Sequence, residues 1–163
     1  MFSNQALQFV PDQQTALQEM FRILCPGGQV FISSWAPLSM CPAIDMAYRA
    51  LERVQEAKAV RVGREFVPFR HQPNANFSLS DRQALADQMA AVGFKNVQVR
   101  MAKATYSRAS MAELVGMAMQ QFGPGVDDDE LEVFVESFRE VAAEVVKQDR
   151  VFAMFNVATA MKE

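Results

Sequence analysis

The hydrophobic pattern opens with a strand period, passes into a helix period and returns to a strand. Phe2-Ser3 reads as the end of a strand, followed by a polar loop. Beyond it Ala16, Leu17, Met20, Phe21, Ile23 and Leu24 recur at i, i+3 and i+4 and predict one apolar face of a helix. Asp12, just after Pro11, is placed to cap the free amides of its first turn. Pro26-Gly27-Gly28 stops it, because proline removes a donor and glycine accepts positive φ. Val30-Phe31-Ile32 then predicts a buried strand ending at Trp35. Strand, helix and strand in this order make a right-handed crossover of a parallel sheet, so the expected class is α/β.

The rest of the chain continues the alternation. Ala36 to Pro42 is a loop broken by two prolines, and Pro42 suits the first turn of a helix carrying Ile44, Met46, Ala47, Leu51 and Val54 to about Lys58. Val60 to Phe77 mixes aromatics, prolines and asparagines and reads as a loop. Ser80 to Gln83 has the spacing of a capping box, with Leu79 as its staple; Leu85, Met89 and Val92 share a face, and Gly93 ends the helix. Val97 to Met101 alternates as a strand with one wetter face. Ser110 to Glu113 is a second capping box, opening a helix to about Gln121, and Gly123-Pro124-Gly125 breaks it. Asp127 to Glu130 starts a long helix with Leu131, Phe134, Val135, Phe138, Val141, Ala142 and Val145 inward, and Val151 to Met161 is the last strand.

Composition narrows the function classes. The 163 residues suit one domain with a core of its own, half hydrophobic and about a fifth charged. A net charge of −3 argues against a general nucleic-acid or anionic-membrane binder. The two cysteines, Cys25 and Cys41, form no disulfide framework and no metal-ligand spacing, so they read as small buried residues in a reducing, cytoplasmic setting. No basic n-region opens the chain, and no window reaches the roughly 18 apolar residues of a membrane span.

Residues 2–35 closely resemble the second half of a class I S-adenosylmethionine-dependent methyltransferase, of the small-molecule group that includes the ubiquinone and menaquinone biosynthesis enzymes. The resemblance rests on the loop Ser3-Asn4-Gln5-Ala6-Leu7-Gln8-Phe9, the helix from Asp12 to Leu24 and the turn Leu24-Cys25-Pro26-Gly27-Gly28 before a strand ending at Trp35. It is moderate over 79–101 and weak beyond. It implies a sheet in the order 3-2-1-4-5-7-6 with the last strand antiparallel. This chain would hold a stub of strand 4 at Phe2-Ser3, then strands 5, 7 and 6 in space, with helices on both faces. The first three strands and the glycine-rich cofactor loop would lie before Met1, so the chain reads as one truncated methyltransferase-like domain, 1–163, with a variable lid at 36–77. An edge at the strand-4 stub or strand 5, carrying unpaired amides and carbonyls, invites a two-fold homodimer.

The resemblance also implies where chemistry would sit. Methyl transfer is an in-line displacement that needs positioning more than a triad or a metal, so no catalytic residue and no metal site are assigned. Ser3, Asn4 and Gln5, with Phe9 behind them, match the positions that touch the methionine part of the cofactor. Trp35, Phe69 and His71 would face a small, apolar or amphipathic substrate. Gly27-Gly28 and Gly123-x-Gly125 are not strand–glycine loop–helix units, so the chain by itself is not expected to bind S-adenosylmethionine strongly. A non-catalytic dimeric domain, or a small-ligand binding module, is the competing reading. A lone histidine between Arg70 and Gln72 is more often a solvated surface group, and Trp35 is equally a packing residue. Met40, Met46, Met111, Met117 and Met119 are more often core filler than pocket lining. The acidic run Asp127-Asp128-Asp129-Glu130 is read as helix capping and dipole compensation.

Overall fold

The computed structural model describes residues 1–66, 77–105, 110–122, 126–148 and 151–163. The chain forms two compact units, one from residues 1–40, 74–104 and 153–163 and the other from 41–73 and 105–152.

The first unit is built on a four-stranded sheet. Its strands are β1 (Phe2–Asn4), β2 (Gln29–Trp35), β3 (Lys95–Thr105) and β4 (Phe152–Met161), in the spatial order β1-β2-β4-β3. β1 runs parallel to β2, with Phe2 opposite Phe31 and Asn4 opposite Ser33. β4 runs antiparallel to β2, with Gln29 opposite Met161 and Trp35 opposite Phe155. The order and the antiparallel last strand are those expected of strands 4, 5, 7 and 6.

Two helices cover one face of this sheet. In α1 (Gln13–Ile23), Asp12 caps the start: it accepts from the Thr15 amide at 2.9 Å and the Thr15 hydroxyl at 2.6 Å. Those bonds, the hydroxyl's first, hold its carboxyl below the usual range. The helix stops at a tight turn where Gly27 takes φ +75° and a β-carbon on Gly28 would lie 2.7 Å from the Cys25 carbonyl oxygen. Lys162 closes this end, its Nζ donating to the carbonyls of Phe21 and Leu24 at 2.9 Å and lying 4.9 Å from the centre of the Phe21 ring. Leu17, Leu85 and Met89 from the helices meet Val30, Ile32, Ala158 and Ala160 from the sheet. Each large side chain so buried contributes about 2 kcal/mol. Phe21 and Phe94 meet edge to face at 5.0 Å.

Several sequence expectations are corrected here. α3 (Arg82–Val92) is capped by Asp81, whose carboxylate accepts from the Ala84 amide at 2.8 Å, and not by Ser80. The Ser80 amide that Gln83 would have to reach already donates to the Phe77 carbonyl at 3.0 Å, and Gln83 bonds to Asp87 instead, so the expected box does not close. Ile23 is exposed because it lies round the helix from the side carrying Leu17, Phe21 and Leu24, and Cys25 in the turn that follows is exposed as well. Cys41, by contrast, is buried.

The second unit is helical: α2 (Pro42–Arg61), α4 (Met111–Phe122) and α5 (Leu131–Lys147). Phe134, Phe138, Val141 and Ala142 of α5 pack against Met46, Ala47, Ala50 and Val54 of α2 and Leu114 and Ala118 of α4. Arg49 pairs with Glu144 at 2.7 Å and Arg53 with Glu140 at 2.8 Å, so residue numbers rise along α2 as they fall along α5 and the two helices are antiparallel. The Ser110–Glu113 capping box of α4 closes as expected, at 2.6 and 3.2 Å. The acidic run differs from expectation. Asp128–Glu130 forms a single 3-10 turn before α5, and no side chain caps it. Instead Lys58 bonds to Asp127 and Glu130, and Arg61 reaches Glu130 at 3.2 Å. The end of α2 thereby ties down the entry to α5, and opposite helix-end charges meet. Met46 is buried and Met111 and Met119 pack against this core, whereas Met40 and Met117 are exposed.

Candidate functional site

The candidate site lies at the carboxyl ends of β1 and β2, where α/β sheets place their ligands. β1 stops at Asn4 because Gln5 adopts φ +52°, a conformation uncommon for a residue with a side chain and concentrated at functional positions. The bent backbone is held by Ser33. The Gln5 amide donates to the Ser33 carbonyl at 3.0 Å and to its Oγ at 3.1 Å. That hydroxyl in turn donates to Asn4 Oδ1 at 2.6 Å.

β2 runs on past the bend and would lose its neighbour there. The side chain of Gln8, only 1 % exposed, takes the vacant place: Oε1 accepts from the Trp35 amide at 3.1 Å. That bond fixes which way the amide faces, since its nitrogen cannot face an N–H. Gln8 Nε2 is thus held in place, buried, and without a protein partner; Gln5 Oε1 is likewise buried and unpartnered. A donor fixed by its own amide oxygen and a buried, unpartnered carbonyl oxygen therefore stand in one loop, in a stretch with no charged side chain before Asp12.

The loop is braced from the far side. Gln13 Nε2 bonds to Ser78 Oγ at 2.7 Å, and Ser78 Oγ donates to the Gln8 carbonyl at 3.3 Å. Ser34 Oγ donates to the Leu79 carbonyl at 2.8 Å. Opposite Ser34, fully buried Asn156 donates from Nδ2 to the carbonyls of Leu79 at 3.2 Å and Ser80 at 2.8 Å. Both amide hydrogens of Asn156 are then used, and its Oδ1 is buried without a partner.

The residues singled out from sequence are distributed as follows. Ser3 is 8 % exposed within β1, and Asn4 and Gln5 meet at Ser33. Phe9 does not back them; it is 56 % exposed at the end of a one-turn helix that buries Leu7 and Gln8 instead. Trp35 is half-buried at the end of β2. Phe69 and His71 lie outside the described residues. Gln8, Ser33, Ser34 and Asn156 were missed. A lone asparagine inside the apolar run of β4 was the available signal for Asn156; Gln8 had none, because its burial depends on a gap in the sheet. Among the described residues no group of three or more histidine, cysteine, aspartate or glutamate side chains could hold a metal ion. No described helix is long and apolar enough to cross a membrane.

S-adenosylmethionine can be tested against this geometry. Its amino-acid end carries an ammonium, which only donates, and a carboxylate, which only accepts. Gln5 Oε1 suits the first and Gln8 Nε2 the second, and an uncharged loop suits a zwitterion. The adenosine half finds less. Gly27-Gly28 separates a helix from a strand, and among the described residues no glycine loop joins a strand to a following helix.

A family model for a methyltransferase domain matches residues 1–99. No curated protein sequence matches the chain. Solved structures that resemble it include phosphoethanolamine N-methyltransferase 2 of Haemonchus contortus with phosphomonomethylethanolamine and S-adenosylhomocysteine, at 13 % identity and a TM-score of 0.45 over 99 % of this chain and 32 % of that one. The same enzyme with S-adenosyl-L-methionine gives 12 % identity and 0.42, over 99 % and 32 %. The [4+2]-cyclase SpnF gives 16 % and 0.42, over 99 % and 49 %. The chain thus spans about a third to a half of the length of these proteins. The match covers more than half of the chain, from β1 through the braced loop and into β3, and on that ground the chain belongs to the methyltransferase-domain family.

Proposed function

We propose that the chain is the carboxyl-terminal part of an S-adenosylmethionine-dependent methyltransferase for a small, apolar or amphipathic acceptor, and that it does not turn over by itself. The observation that carries this is that, just past the carboxyl end of β1, Gln5 Oε1 and Gln8 Nε2 are both buried without a partner, the second held in place by its own Oε1 on the Trp35 amide. Gln5 would accept from the ammonium of the cofactor and Gln8 would donate to its carboxylate. When bound, the cofactor supplies an electrophilic methyl group on a sulfonium. The chain's own part is orientation: Ser33 holds the Gln5 bend, and Trp35 and Ser78 hold Gln8 from its two sides. No titratable side chain lies between Ser3 and Phe9 or between Ser33 and Trp35, which suits a displacement driven by positioning rather than proton transfer. A net charge of −3 favours a small acceptor over a nucleic acid. Free cysteines suit the reducing cytoplasm.

Titration of the chain with S-adenosylhomocysteine, followed by calorimetry and by the side-chain amide resonances of Gln5 and Gln8, tests this reading. Weak binding, with a Kd of about 1 mM, equivalent to about −4 kcal/mol, is expected, with both resonances moving and Gln8→Ala abolishing the response. Micromolar binding would overturn the claim that the chain is insufficient alone. Resonances that stay still at millimolar ligand would overturn the assignment of the site.

A further inference from the structure

Gln8 is gripped at both ends, and the grips close into a ring. Its side-chain oxygen takes the Trp35 amide at 3.1 Å, and its carbonyl takes the Ser78 hydroxyl at 3.3 Å. The two holders are themselves tied together. Ser34, next to Trp35 in β2, donates from its hydroxyl to the carbonyl of Leu79, next to Ser78, at 2.8 Å. Gln8, Trp35, Ser34, Leu79 and Ser78 thus form one closed circuit of peptide bonds and hydrogen bonds. The Ser78 contact is its longest link, and Gln13 reinforces it, with Nε2 at 2.7 Å from Ser78 Oγ and 3.4 Å from the Gln8 carbonyl oxygen.

One residue outside the circuit anchors it from β4. On the helix-covered face the paired residues run Val30 with Ala160, Ile32 with Ala158, then Ser34 with Asn156. Two apolar pairs meet the core, and the third, equally buried, is polar. Burying that amide is unfavourable, the more so because Oδ1 is left without a partner, and the neighbouring alanines show that packing alone does not call for it. What Asn156 does there is specific: Nδ2 holds the carbonyls of both Leu79 and Ser80, on either side of one peptide bond.

We propose that Asn156 is a positioning residue for the candidate site, fixing where Gln8 Nε2 stands by acting through Leu79, Ser80 and Ser78. It touches no ligand. The inference rests on the reading of Gln8 as the donor to the cofactor carboxylate.

The test uses Asn156→Ser, whose single hydroxyl donor cannot serve both carbonyls, and Ser78→Ala, at an exposed position where the core is untouched. The first readout needs no ligand. Exchange of the Trp35 amide, bonded to Gln8, is compared with that of the next amide, Ala36, bonded to the Met154 carbonyl. Both variants are expected to speed Trp35 about fivefold relative to Ala36, whereas a loss of global stability alone speeds both together. Ser78→Thr, which keeps the hydroxyl, is expected to restore the wild-type ratio. The second readout compares S-adenosylhomocysteine with its analogue lacking the carboxylate, by the resonances of Gln5 and Gln8. The wild-type chain is expected to prefer the carboxylate about tenfold, and the variants to lose that preference by about threefold or more. An exchange ratio unmoved in the folded variants overturns the inference, as does an unmoved preference. If Asn156→Ser does not fold, Ser78→Ala, which cuts the same relay, decides by the same two readouts. A wild-type chain that binds both ligands equally overturns the reading of Gln8 itself, so the two failures are told apart.

Discussion

Replacing Asn156 by aspartate keeps its shape and removes the one thing the structure asks of it, donation to two carbonyls. The side chain is fully buried, and Nδ2 bonds to Leu79 O at 3.2 Å and Ser80 O at 2.8 Å. Two lost hydrogen bonds cost about 1 kcal/mol each. The Leu79 carbonyl keeps the Ser34 hydroxyl, but the Ser80 carbonyl is left without that donor, at a further ~1–3 kcal/mol. A carboxylate buried against two carbonyls also has its folded pKa raised above the unfolded value of about 3.9, at ~1.4 kcal/mol per unit. The expected loss near pH 7 is about 4 kcal/mol or more, a large share of an ordinary domain's stability. The sign in pH follows from linkage. With the folded pKa raised, the native state binds more protons, so the variant's stability falls as pH rises from about 4 through the folded pKa. Near pH 4 the protonated acid can donate to Ser80 again, and the gap to the wild type narrows. Urea denaturation across this range, read as a change in midpoint at constant m, measures both effects. A variant within about 0.5 kcal/mol of the wild type at pH 7, or one with no extra pH slope, would refute the reasoning.

Two further substitutions probe what holds the chain together. Lys162→Met keeps the apolar stem but removes the donor that closes α1 and the cation over Phe21; it should cost about 2 kcal/mol in urea denaturation, and an unchanged midpoint would show that the cap contributes nothing. Gly93→Ala should cost about 2 kcal/mol, because the site has φ +112° and a β-carbon would lie 3.2 Å from the Phe21 ring, whereas Gly116→Ala, in open space within α4, should gain ~0.5–1 kcal/mol; thermal denaturation showing the same sign for both would contradict this account.

The parts of this fold that could be read from sequence are those whose causes are local. Asp12 caps α1, Gly93 ends α3 and Ser110 with Glu113 opens α4 because each needs partners within a few residues. The capping box at Ser80 misled although its spacing is local, because the Ser80 amide is spent on the Phe77 carbonyl and Asp81, one residue on, caps the helix instead. Phe9, set behind Ser3 to Gln5 by the resemblance, is exposed because Leu7 and Gln8 are the residues of its one-turn helix that are buried.

By itself, then, the sequence determined the alternation of strands and helices, most of their ends, and the resemblance that ordered the sheet. Only the tertiary structure decided which polar groups make the candidate site. Gln8 became a fixed donor because β1 ends two residues short of β2 and leaves the Trp35 amide to be satisfied. Asn156 became a brace because β4, last in the chain, lies between β2 and β3 in the sheet. Periodicity and caps act over one or two helical turns and are written into neighbouring residues. A buried amide's partner is set by which distant strand arrives beside it, and no local pattern encodes that.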